Sequence, residues 1–64
     1  MMSESFYIQQ AESCQRAADD TPLANQRDTL LRSRAAWLTL AAREQAIRAA
    51  RAQREREKEQ ADER

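Results

Sequence analysis

The chain has 64 residues, 11 basic and 11 acidic, for a formal net charge of zero. It is one domain at the size where a single core is marginal, and chains this short lean on disulfides, metals or association. One cysteine, Cys14, and no histidine exclude an internal disulfide and leave no tetrahedral zinc set, while zero net charge removes any bulk pull toward nucleic acid or membrane.

Association is what remains. Glycine is absent and Pro22 is the only proline, so the positive-φ chemistry of tight strand turns is missing. Valine is also absent, and β-branched residues are confined to Ile8, Thr21, Thr29, Thr39 and Ile47. Alanine, arginine, glutamate, glutamine and leucine dominate, and these are strong helix formers. An all-α fold is expected.

Ser3 or Ser5 is placed to cap a first helix, with Glu4 at the positive end of its dipole. Tyr7, Ala11, Cys14 and Ala18 then recur at spacings of four, three and four, which is one helical face. Ile8 flanks this stripe and Phe6 sits at its edge. The stripe is narrow, and its small residues admit a close partner but bury little area each.

The first helix is expected over about 4–20, with the corner at 19–22. Asp19 and Asp20 oppose the dipole of the helix they end. Thr21-Pro22 suits a helix start, because threonine caps and proline at the first helical position loses no hydrogen bond. Asp19 and Asp20 are also candidates to cap the new helix.

A second helix is expected from Pro22. Leu23, Leu30, Trp37 and Ala41 lie on one line, with Arg34 among them. Leu31 and Leu38 fall on one side of the line and Leu40 on the other, giving a wide apolar face. Matching stripes joined by a short corner predict an antiparallel helical hairpin over 1–42.

From position 43 the character changes. Residues 43–64 hold seven basic and six acidic side chains, and Ile47 is the only large apolar residue among them. Nothing here breaks a helix, but no face remains for a core. A charged helical extension is expected, fraying beyond the mid-fifties.

Each residue that suggests chemistry has a plainer alternative. Cys14 is either a reactive thiol or a small residue facing helix two; free cysteine is among the most buried types. Asp19, Asp20 and Asp28 match no calcium-loop spacing and suit capping and solvation. Arg34 either snorkels at the edge of the helix pair or pairs with Glu12, Asp19 or a partner's acid. Trp37 is either the main core residue or the centre of an interface. Arg43, Arg48, Arg51 and Arg54 are the one candidate nucleic-acid surface, but acids dilute it and no aromatic interleaves to stack on bases.

Phe6-Tyr7, Ala11, Cys14, Ala18, Arg27, Leu30 or Leu31, Ala35 or Ala36, Trp37 and Leu40-Ala41 resemble the pattern of short two-helix proteins of alphaproteobacteria. Those read aromatic–Ala–Cys–Ala in the first helix and Arg–Leu–Ala–aromatic–Leu–Ala in the second. The resemblance covers roughly 5–42 and not the charged extension. It implies a helical hairpin in the cytoplasm, and the family carries no established activity.

The expectation is therefore a non-enzymatic protein–protein interaction or regulatory module, acting through the apolar face of helix two. Tyr7, Ala11, Cys14, Leu30, Leu31, Arg34, Trp37, Leu38 and Ala41 are the candidate core and interface. One thin helix offers too little surface to bury this set, so the partner is a second copy, completing a four-helix bundle, or a larger protein. A nucleic-acid accessory role for the arginines is the alternative. No cofactor, metal or small-molecule substrate is expected. No stretch approaches the roughly 20 apolar residues of a membrane span. The first six residues lack the basic start and apolar run of a secretory signal, so the cytoplasm is the expected location.

Overall fold

The computed structural model describes residues 3–62, and for position 62 the backbone only. Positions 63 and 64 of the expected extension lie outside the described residues. The fold is all-α: two helices and no strand among the described residues.

Helix α1 spans Glu4–Asp20. Ser3 is its N-cap, in extended conformation, and its Oγ accepts a hydrogen bond from the Phe6 amide at 3.2 Å. That satisfies one of the amides a helix start leaves without a partner. At the other end the Thr21 amide donates to the Ala17 carbonyl at 3.1 Å, and the backbone of Thr21 turns extended.

Helix α2 spans Ala24–Asp62. It begins two residues after Pro22, where the sequence suggested a start. A helix with Pro22 as its first residue would use the Thr21 carbonyl for its first backbone bond. That carbonyl instead accepts from Arg27 Nη2 at 3.1 Å, and the helical ladder opens with the Arg27 amide on the Leu23 carbonyl at 3.0 Å. Thr21 ties the corner to the first turn of α2: its Oγ1 accepts from the Leu23 amide at 3.3 Å and donates to Gln26 Oε1 at 2.9 Å. The carboxylate of Asp19 accepts from the Gln15 side-chain amide at 3.0 Å, an i,i+4 bond within α1 rather than a cap for α2.

Helix α2 continues through the mid-fifties to Asp62. The extension contains no glycine or proline and consists of strong helix formers. Gln53 adds an i,i+4 bond to Glu57 at 3.3 Å. Every residue from Gln45 to Ala61 is exposed, and past Arg48 the helix is held by its own backbone and local side-chain bonds.

The chain reverses direction between Asp20 and Ala24, and α1 lies along the first part of α2. Arg27 Nε donates to the Ala18 carbonyl at 3.4 Å at one end, and Arg48 forms an ion pair with Glu4 at the other. The molecule measures 63 × 16 × 14 Å. Its long dimension is that of α2, about 58 Å at 1.5 Å per residue, whereas α1 is about 26 Å long.

Alanines fill the contact between the helices. Ala11, Ala18 and Ala41 are the buried apolar residues. An Ala18→Leu variant is expected to push α1 off α2 and cost about 1–3 kcal/mol, as overpacking does. Urea unfolding followed by helical circular dichroism measures this, and Ala17→Leu, at an exposed position, should leave the midpoint nearly unchanged.

Candidate interaction surface

In α2 the positions that lose exposure are Leu30, Arg34, Trp37, Ala41 and Glu44. Their spacing of four, three, four and three keeps them on one line, which faces α1. Ser33 and Leu38 are half-buried at its edges. On α1 the answering residues are Glu4, Tyr7, Ala11, Cys14 and Ala18, with Gln10 and Gln15 half-buried beside them. The inner line thus contains most of the residues that the periodicity singled out.

Trp37 sits against the aromatic pair of α1. Its ring lies 5.9 Å from Phe6 in an edge-to-face arrangement and 6.1 Å from Tyr7 in a stacked one. Phe6 and Tyr7 also meet edge to face at 6.1 Å. Such pairs add about 0.5–1.5 kcal/mol beyond their burial. Even so, all three rings are only half-buried, because one helix cannot surround them.

Leu31 is a different case. It is 37% exposed and lies about 100° round α2 from Leu30. Leu38, one heptad on, shares its side of the helix. On the other side are Leu40, 38% exposed, and Ile47, 41% exposed. Among the described residues no large apolar side chain is fully buried.

Arg34 is half-buried within this apolar setting. Neither Glu12 nor Asp19 reaches it, since the ion pair found among the described residues is Glu4–Arg48. Both acids are exposed, and Asp19 is engaged by Gln15. Cys14 is a free, half-buried thiol on the line facing α2.

Arg27 is the residue whose role the periodicity did not reveal. Its guanidinium spans two backbone acceptors, the carbonyls of Ala18 and Thr21. Arginine is fitted to this by its fork of donors, and the carbonyls at a helix end need partners. An arginine one turn into the second helix, after a corner, was the available signal.

The arginines of the extension are exposed. Arg48 is committed to Glu4. Arg51, Arg54 and Lys58 line an open groove together with Glu55, which sets an acid among the three cations. No group of three metal-ligating side chains occurs among the described residues, and no helix of theirs is long and apolar enough to cross a membrane.

No protein-family model matches the chain, and no curated protein or solved structure is significantly similar to it.

Replacing Trp37 by alanine removes the ring against which both α1 aromatics pack. The expected loss is roughly 2 kcal/mol, below the about 3–5 kcal/mol of a fully buried aromatic. That corresponds to a melting temperature lower by about 10 °C in a domain this small. Thermal circular dichroism checks it, with Trp37→Phe expected to retain most of the stability.

Proposed function

We propose that this protein is a non-enzymatic protein–protein interaction module. In this reading α1 and α2 form an antiparallel helical hairpin whose second helix is the docking element, and the charged extension is a solvated helical rod. The supporting observation is the state of the core. Ala11, Ala18 and Ala41 are buried, while Leu31, Leu40 and Ile47 stay at the surface.

Apolar side chains left on a helix of this length are the pattern that helix-in-groove and helix-bundle partners cover. The half-buried free thiol of Cys14 suits action in a reducing compartment such as the cytoplasm.

A second reading draws on Arg51, Arg54 and Lys58, which share one groove of the extension. It makes the rod a contact for nucleic-acid phosphates, and it requires binding that weakens steeply with salt.

Light scattering on a sizing column, with absorbance followed at protein and nucleic-acid wavelengths, separates these readings. A complex heavier than 7.4 kDa with the absorbance of protein alone is the expected result. A single chain that stays monomeric and carries nucleic acid, lost as salt is raised, would contradict the interaction module and favour the second reading.

A further inference from the structure

Resting on the interaction reading, we infer that the partner is a second copy of this chain, seated antiparallel on the Leu31–Ala35–Leu38–Ala42 seam of α2. These four residues follow one another at spacings of four, three and four, and Ala49 continues the same side. The seam lies about 100° round the helix from the line that faces α1. That is the angular relation by which a helix in a four-helix bundle meets two neighbours.

The alternation of leucine and alanine selects the occupant. A two-fold interface requires that if residue i meets residue j, then j meets i. Antiparallel pairing centred between Ala36 and Trp37 sets Leu31 opposite Ala42 of the second copy, and Ala35 opposite its Leu38. Every leucine then meets an alanine in both directions. Alanine opposite leucine lets the axes approach toward the short end of the usual 8–10 Å range. In the same register Gln45, the polar position of the seam, falls opposite Asp28 of the second copy, whose carboxylate is an acceptor for the glutamine amide.

The opposite flank does not offer this. There Ala36, Leu40, Ile47 and Ala50 are interrupted by Arg43 at the central heptad position, and two copies meeting on it would bring like charges together. The seam carries no charge between Leu31 and Ala42, and the chain as a whole has a formal net charge of zero, so copies do not repel one another in bulk. The overlap from Ala24 to Ala49 is about 38 Å long.

The test compares two double variants of the full chain by sedimentation equilibrium. Wild type is expected at twice 7.4 kDa. Leu31→Arg with Leu38→Arg is expected to halve that mass while helical circular dichroism persists, and Leu40→Arg with Ile47→Arg is expected to leave it unchanged. A seam variant that stays dimeric, or a flank variant that alone dissociates, would overturn the proposal. So that loss of folding cannot imitate loss of association, Ala35→Cys and Leu38→Cys are also made separately in a Cys14→Ser background and mixed. The mixed disulfide should form in preference to either homodisulfide, and an equal distribution counts against the register. A monomeric wild type refutes the second copy while leaving an interaction with a different protein intact; a wild type that dimerises through the other flank refutes only the seam.

Discussion

Two helices have only one mutual line of contact, and everything else in this molecule depends on that limit. A side chain is fully removed from water only when neighbours approach from several directions. With α1 as the sole neighbour, only residues small enough to sit within the contact are buried, and these are Ala11, Ala18 and Ala41. Anything larger extends past the line. Trp37 meets Phe6 and Tyr7 on one side and keeps its remaining surface exposed. Beside the line Leu31 and Leu40 remain at the surface, and Leu38 is half-buried.

The alanines therefore have two opposite effects. They bring the helices close enough for Arg27 to bond the last carbonyls of α1 and for Arg48 to reach Glu4. They also give up area, because burial stabilises by roughly 25 cal/mol per Å² of apolar surface and alanine has little of it. The Glu4–Arg48 pair adds little, since the arginine side chain is 57% exposed and water screens such pairs to about 0–1 kcal/mol. Specific contacts thus define how α1 sits on α2, while Leu31, Leu40 and Ile47 of α2 stay at the surface. Past Arg48 the helix has only its own backbone and local side-chain bonds, which fits a rod of strong helix formers with mixed charge.

Much of the fold was legible in the sequence because helix formation here is a local matter. The absence of glycine and valine, the serine before Glu4 and the spacing of Tyr7, Ala11, Cys14 and Ala18 depend only on neighbours in the chain. The start of α2 was less legible. Thr21-Pro22 is a sound start by local rules, but the helical ladder opens on the Leu23 carbonyl, while the Thr21 carbonyl accepts from the Arg27 guanidinium; that contact arises only once the corner is folded. A helix without tertiary support is marginal in general, but no residue in 43–62 interrupts this one, and α2 runs to Asp62. The wide apolar face of α2 was visible as a pattern, but not its division. Leu30, Trp37 and Ala41 face α1, whereas Leu31 stays exposed and Leu38 only half-buried, and that split needs the position of α1. A pairing of Arg34 with Glu12 or Asp19 likewise required knowing which sides of the two helices meet.

The central claim is that the fold is completed by association. It is tested most directly by measuring the thermal unfolding midpoint of the wild-type chain over a wide range of protein concentration. If a partner copy covers the apolar surface of α2, mass action makes the midpoint rise with concentration. A midpoint that is high and independent of concentration would show that two helices suffice by themselves, and would contradict the account.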